Sequence, residues 1–420
     1  MQQENKTAEF LKDAFHIEPK VIEIVQAAER EASTEFACLD DIMAYNQYKV
    51  LAAFHKNRIR DMHFGWKTGY GYDDAGREAV ESVFADVFHT DAALVRTTFV
   101  NGTHALATVL LGILRPGDEL IYATGDPYDT LQTVIGITNY TPGNGSLKDY
   151  GVTFKKVDLL PDGSIDIEGV KAAITDKTKM ITAQRATGYS WRKAISVEEI
   201  GMLMDAIHSV NPDIVKMVDN SYGEFLDTKE PTDVGADVMA SSLIKNPGGG
   251  IVLSGGYVAG RQDLIDQIQY RMTCPGIGGE CGLTYGQTRT MLQGFFIAPR
   301  AANAALKGAV LCGRTFDERL LRPATPCDAI CDIVNDEVFD TRHHVEIIQS
   351  EIRVNNTNAL ARAGKSNAEV RRHGRLPHAA LSGSYNNFSR HKPLPNFAGR
   401  GRTSKPARDY KIVTLLYHSR

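Results

Sequence analysis

Lys245 lies in the run Ser241-Ser242-Leu243-Ile244-Lys245-Asn246-Pro247-Gly248-Gly249-Gly250, 26 residues after Asp219. Asp219 closes an apolar stretch and opens Asp219-Asn220-Ser221-Tyr222-Gly223-Glu224. An acid at the end of a strand, followed by a lysine among hydroxyls and glycines, meets the needs of a pyridoxal phosphate enzyme. The lysine carries the cofactor covalently, and the acid keeps the pyridine nitrogen protonated so that the ring can take up electrons. A lysine beside three glycines is also an ordinary surface turn, so the assignment depends on what the rest of the chain supplies.

A phosphate needs donors of its own. Leu94 to Val100 reads as a strand and runs into Asn101-Gly102-Thr103-His104, after which Ala107 to Leu114 has helical character. A turn of small residues that opens a helix points unpaired backbone N–H groups and the positive end of the helix dipole at one place, which suits a phosphate. Gly102 and Thr103 are therefore candidates, although a Gly-Thr start taken alone is a common capping motif. Further on, a strand-like Ile121-Tyr122-Ala123-Thr124 ends in Gly125-Asp126-Pro127-Tyr128. Tyr128 is suited to stack on a flat cofactor; its plain alternative is a buried tyrosine with a satisfied hydroxyl.

With these residues in order, the chain resembles the methionine gamma-lyase-like proteins called the aluminium resistance protein family. The blocks that carry the resemblance are Gly102-Thr103-His104, Asp126 to Leu131, Gln184-Arg185 with Gly188 to Arg192, Asp219 to Glu224, and Ser242 to Gly250. The resemblance as a whole covers about residues 5 to 315. Ala186-Thr187 stands where Ser-Arg is expected and Asn101 where serine is expected, departures that bear on substrate contacts near Arg185 more than on the cofactor. The resemblance implies the fold-type I architecture of pyridoxal phosphate enzymes: an α/β large domain with a mostly parallel seven-stranded sheet, N-terminal helices, and a small C-terminal domain. It also implies a homo-oligomer, a dimer or a homotetramer, with the active site at the subunit interface.

Bulk properties fit such an enzyme. A chain of 420 residues that is 43% hydrophobic and 23% charged can bury one large domain and a smaller one. No uninterrupted apolar stretch of membrane-spanning length appears, and Met1 to Lys6 lacks an apolar signal core, so the expected location is the cytoplasm. The six cysteines are scattered, without CxxC spacing or a zinc-like histidine pattern, and are expected to be reduced structural thiols.

Apolar spacing from Thr7 to Arg60 predicts helices, which in fold-type I enzymes often lie at subunit interfaces. From Ala92 to Gly260 short apolar runs alternate with helical stretches: Leu94 to Val100, Glu119 to Ala123, Val152 to Val157, Met180 to Gln184, Ile214 to Val218, Val238 to Ser241, and Gly256 to Ala259. This alternation predicts a mostly parallel sheet covered on both faces, with Thr103, Tyr128, Asp219 and Lys245 at its carboxyl edge. Thr68 to Arg77 alternates glycine with tyrosine and reads as an exposed loop with hydroxyl donors. The resemblance gives Tyr70 or Tyr72 the role of reaching the cofactor phosphate of a neighbouring subunit, with Arg77 as a further candidate; otherwise this is a glycine-rich interface loop. The expected divisions are a helical segment at 1–65, the cofactor-binding domain at 66–300, and a C-terminal domain at 301–420.

The C-terminal stretch reads differently. Residues 353–420 carry 14 Lys+Arg against 2 Asp+Glu, whereas residues 1–352 carry 33 against 49. The basic stretch shows neither helical nor strand periodicity. Three readings compete: a reading-frame shift between Asp317 and Gln349, a true basic tail for anionic partners, and a divergent folded domain. The frame shift accounts at once for lost patterning, lost resemblance after Arg314 and the odd composition, and makes the domain aberrant from about residue 317.

The resemblance implies a pyridoxal phosphate-dependent carbon–sulfur lyase acting on a sulfur amino acid, of the methionine gamma-lyase or cystathionine lyase type. Lys245 holds the cofactor and removes the α-proton, Asp219 pairs with the ring nitrogen, and Tyr128 stacks and helps protonate the leaving group. Ser242 with Gly102 and Thr103, helped by Tyr70 or Tyr72, holds the phosphate. An aminotransferase would use the same lysine and acid, and a catalytically impaired cofactor-binding protein with a basic tail is the third alternative. No metal is expected, and nucleic acid is not the expected partner.

Overall fold

The computed structural model describes residues 2–190 and 192–320. In chain order its longer helices are α1 (Gln2–Phe15), α2 (Pro19–Glu31), α3 (Ser33–Lys56), α4 (Ala75–Val87), α5 (Gly102–Ile113), α6 (Asp129–Ile135), α7 (Ile167–Ala173), α8 (Val197–Val210), α9 (Gln262–Met272) and α10 (Thr288–Leu320). The strands are β1 (Ala92–Arg96), β2 (Glu119–Tyr122), β3 (Thr153–Lys156), β4 (Thr178–Gln184), β5 (Val215–Asp219), β6 (Val238–Ser242) and β7 (Gly256–Gly260).

All seven strands join one sheet in the order β1-β7-β6-β5-β4-β2-β3. Pairings among β2 to β6 are parallel, while β7 runs antiparallel to both β6 and β1. Successive side chains alternate between two cores, as a period of two requires. Leu120, Tyr122, Met217, Val238 and Val258 pack with Leu106 and Leu110 of α5 and Ile268 of α9. Ile121, Ile181, Val218, Met239 and Tyr257 pack with Phe84 and Phe88 of α4, Leu203 of α8 and Phe295 of α10. Burial of both faces explains why these strands are nearly continuous apolar runs.

The predicted helical stretch Thr7–Arg60 divides into three helices. His16 takes a left-handed conformation at φ 55°, and Glu18 precedes Pro19, whose ring disfavours helix at the residue before it. The N-terminal helices dock on their own chain: Gln47 Nε2 donates to the Phe296 carbonyl at 2.8 Å, Lys307 pairs with Asp40 at 2.6 Å, and Arg314 pairs with Glu35. The first strand ends at Arg96, short of Val100, because the chain turns to place the cap of α5. The basic stretch and its three competing readings lie outside the described residues. Among the described residues, no helix is long and apolar enough to cross a membrane.

Candidate active site

The carboxyl edge of the parallel strands gathers the candidate residues. Asn101 caps α5, its side-chain oxygen accepting from the His104 N–H at 3.0 Å, which leaves the first backbone N–H groups at Gly102 and Thr103 without intrahelical acceptors. A β-carbon on Gly102 would stand 3.1 Å from the Ser242 Cβ, so glycine lets the start of α5 sit this close to the end of β6 without displacing Ser242. Ser242 Oγ accepts from the Ile244 N–H at 3.3 Å. Thr103 and Thr130 share a hydroxyl hydrogen bond at 2.7 Å, joining the starts of α5 and α6. This cradle of small groups and donors fits a phosphate.

Asp219 ends β5 and is buried, and its Oδ1 accepts from the Ser221 N–H at 3.0 Å. Lys245 follows β6, half-buried, with its Nζ 4.2 Å from the centre of the Tyr222 ring. Burial pushes the Lys245 ammonium below its ordinary pKa, while the negative fields of Asp219 and Glu224 oppose that shift. Tyr128 is anchored by its backbone N–H, which donates to Gln184 Oε1 at 3.0 Å, and its ring stacks on Tyr189 with centroids 5.5 Å apart. Burial, then the hydrogen bond with Tyr189, raises the Tyr128 phenol far above its usual range.

A layer of buried polar groups lies behind this edge. Arg185 sends Nη1 to Asn220 Oδ1 at 2.8 Å and to the Gly223 carbonyl at 2.9 Å, and Nε to the Ile195 carbonyl at 3.3 Å. Its guanidinium therefore holds the turn after Asp219. Asn220 donates to Glu230 Oε2 at 3.0 Å, and Tyr257 donates to Glu224 Oε1 at 2.9 Å. Tyr222 and Phe225 both sit at φ 65°, a conformation unfavourable for such side chains, and Asn246 Nδ2 holds this turn by donating to the Tyr222 and Glu224 carbonyls at 3.2 and 3.0 Å. The roles of Tyr222 and Glu224 were not assigned from sequence; their place within the Asp219 run was the only available signal.

The glycine–tyrosine loop stands apart from this group. Tyr70 and Tyr72 are 82% and 52% exposed as residues, and their ring centroids lie 6.4 Å apart. Their backbone is fixed from below: Gly282 N–H donates to the Tyr70 carbonyl at 2.8 Å, and Arg77 donates to the carbonyls of Gly71, Gly282 and Glu280 at 2.5, 3.1 and 2.7 Å. Arg77 is buried and its Nη1 and Nη2 are committed to these carbonyls, which makes it a brace for the loop.

Residues 21–358 match the methionine gamma-lyase family. The chain belongs to that family. The match continues well past Arg314, so the family pattern persists into the segment where the sequence reading had lost it. A carbon–sulfur lyase involved in aluminum resistance from Clostridium novyi NT is 47% identical and superposes with a TM-score of 0.72, covering 74% of each chain. An uncharacterized protein of Bacillus subtilis, YnbB, is 46% identical over 280 residues, 67% of this chain and 66% of that one. A 33.9 kDa protein of Lactobacillus delbrueckii subsp. bulgaricus is 37% identical over 46% of this chain and 62% of its own length. The chain thus spans just under two thirds of the length of these two curated relatives. The architecture is that of fold-type I pyridoxal phosphate enzymes, with a sheet of seven strands in which one runs antiparallel.

Proposed function

We propose that this protein is a pyridoxal phosphate-dependent carbon–sulfur lyase acting on a sulfur amino acid, of the methionine gamma-lyase or cystathionine lyase type. The observation that carries the reading is the meeting of Lys245, Asp219 and the close Gly102–Ser242 approach at one sheet edge. Similarity to the Clostridium novyi carbon–sulfur lyase supports the reaction class.

The N–H groups at the start of α5 and the Ser242 hydroxyl would hold the cofactor phosphate, Asp219 its ring nitrogen, and Lys245 its aldehyde carbon. When bound, the cofactor supplies an electron sink for the charge left at the substrate α-carbon. Lys245 is suited to take up the α-proton, because burial favours its neutral amine. Tyr128 keeps its proton throughout the physiological range and can donate it to a departing sulfur. Tyr70 and Tyr72, turned outward on a braced loop, would serve the phosphate of a second subunit in a homodimer or tetramer.

Incubating the protein with pyridoxal phosphate, reducing with borohydride and mapping the peptides should place the label on Lys245. The same preparation should release a thiol and an oxoacid from a sulfur amino acid. A label on another lysine would sink the site assignment. Transfer of the amino group to an added oxoacid without thiol release would point to an aminotransferase.

A further inference from the structure

Tyr222 takes no part in the reaction proposed above, yet its ring is the surface against which Lys245 rests. The lysine Nζ stands over that ring, 4.2 Å from its centre, well inside the range at which an ammonium is drawn to the negative face of an aromatic ring.

Placing the ring there strains the chain. In Asp219-Asn220-Ser221-Tyr222-Gly223-Glu224 the left-handed conformation, φ 65°, falls on the tyrosine and not on the glycine beside it. Gly223 is needed for another reason: a β-carbon there would collide with the Arg185 guanidinium and the Asn220 side chain. A left-handed tyrosine is unfavourable, and such strain persists only where surrounding contacts over-determine it. Those contacts are present. Asn246 Nδ2 donates to the carbonyls of Tyr222 and Glu224 at 3.2 and 3.0 Å, so the residue that follows Lys245 holds the turn that carries the ring. Arg185, just after β4, donates to the Gly223 carbonyl at 2.9 Å. Lys245 and the ring beneath it are thus parts of one braced unit.

We propose that Tyr222 is a positioning residue for Lys245: its ring face receives the ε-ammonium once the lysine has taken up the α-proton and holds the charged head at the sheet edge. The proposal rests on the reading of Lys245 as the reactive lysine. In that reading one proton moves from the substrate α-carbon to Nζ, and Tyr222 exchanges none. The same nitrogen must be neutral before the transfer and charged after it. A ring face serves both forms, because it is apolar enough to lie against a neutral amine and its quadrupole adds attraction when the charge arrives. A carboxylate in direct contact would instead hold the amine charged from the outset.

The other groups that act on this lysine set the sign of the test. Burial pushes the Lys245 ammonium below its ordinary range, and Asp219 and Glu224 oppose that shift. Tyr128, close enough to feel Tyr222, keeps its own proton because burial and the hydrogen bond with Tyr189 raise its phenol, so it brings no charge to the lysine. The ring face acts in the same direction as the two acids, favouring the ammonium. Removing it should therefore lower the pH at which Lys245 gives up its proton.

The test follows the rate of reductive methylation of Lys245 against pH in the full chain freed of cofactor, with the Lys245 peptide read by mass spectrometry against the remaining lysines. Tyr222→Leu keeps an apolar side chain in the same turn but has no ring face. It should lower the Lys245 midpoint by about half a pH unit to one unit, raising reactivity about threefold to tenfold below the midpoint. Tyr222→Phe keeps the face and loses only the hydroxyl, and should leave the midpoint where it is. Asn246→Ala leaves the ring in the chain but frees the turn that aims it, so the midpoint should move the same way as in Tyr222→Leu but by less, which keeps the test open should that variant fold poorly. An unchanged midpoint in a folded Tyr222→Leu chain overturns the contact, since a merely structural tyrosine would alter thermal stability alone. An equal fall in Tyr222→Phe would also overturn it, because the effect would then belong to the hydroxyl. The measurement is made without cofactor, so either result is distinct from failure of Lys245 to take up pyridoxal phosphate, which would instead overturn the proposed function.

Discussion

Around Lys245 the side chains are fixed by partners in the same chain, whereas in the loop at Gly69–Asp73 the backbone is fixed and the rings are turned outward. Asp219 accepts from Ser221 in its own turn, Tyr128 donates to Gln184 at the end of β4, and Asn246 donates to the Glu224 carbonyl in the turn after β5. Beneath the loop, Arg77 and Arg96 donate to the backbone carbonyls of Gly71, Gly279, Glu280, Cys281 and Gly282, and Arg96 also pairs with Glu81. Ordering a backbone while leaving aromatic rings in water has a cost in conformational entropy that the rings do not offset by burial. Such an arrangement makes physical sense where the rings meet something beyond this chain. On the proposed reading, the first region is prepared within one subunit and the second is offered to another.

The sharpest way to strain the first region is at Asp219. Asp219→Asn preserves size and can still accept from the Ser221 N–H, now at 3.0 Å, but removes the charge that keeps a pyridine nitrogen protonated. Cofactor should still bind, while turnover falls by on the order of 10³-fold or more. Stopped-flow exchange of the substrate α-proton would check this, and normal turnover at full cofactor occupancy would remove Asp219 from the electron-sink role.

The contrast between the regions also explains what could be read in advance. The inner strands were legible because burial on both faces writes an apolar run into them, whereas the edge strand β3, Thr153–Lys156, is exposed or half-buried and carries two lysines. The ends were less so: β1 stops at Arg96 because a cap four residues beyond Thr97 turns the chain, and nothing periodic marks that. Lysine and acid were legible because their chemistry is tied to strand ends. Tyr222 and Glu224 escaped assignment because their roles depend on two left-handed residues and on Tyr257, 33 residues away. Arg77 and Arg185 were legible only as basic residues. Whether an arginine meets a ligand or a carbonyl depends on contacts as distant in sequence as the 205 residues between Arg77 and Gly282.

The brace offers the next test. Arg77→Ala removes three donors from the buried or partly buried carbonyls of Gly71, Glu280 and Gly282, and the expected loss is about 3 kcal/mol of stability. Urea unfolding should show it. The same variant should loosen the Gly69–Asp73 loop without changing the reactivity of Lys245, which has its own set of partners. A matching fall in Lys245 reactivity would mean that the two regions are coupled within one chain, contrary to the division drawn above.

The smallest effect is expected at the tyrosines themselves, and it separates the regions most directly. A double variant Tyr70→Phe with Tyr72→Phe keeps both rings and removes only hydroxyls, so cofactor affinity should weaken by about fivefold to tenfold, the scale of one hydrogen bond. Fluorescence titration of the protein with pyridoxal phosphate measures it. Mixing this variant with Lys245→Ala subunits then asks which chain supplies the hydroxyl. If the rings serve a neighbour, a mixed oligomer holds one site with both Lys245 and intact tyrosines, and that site should regain the original affinity. If they serve their own chain, every lysine-bearing site in the mixture still lacks the hydroxyls and no affinity returns. Recovery that appears only at protein concentrations high enough for subunits to associate would place the tyrosines across the interface, and its absence at any concentration would return them to an ordinary exposed loop.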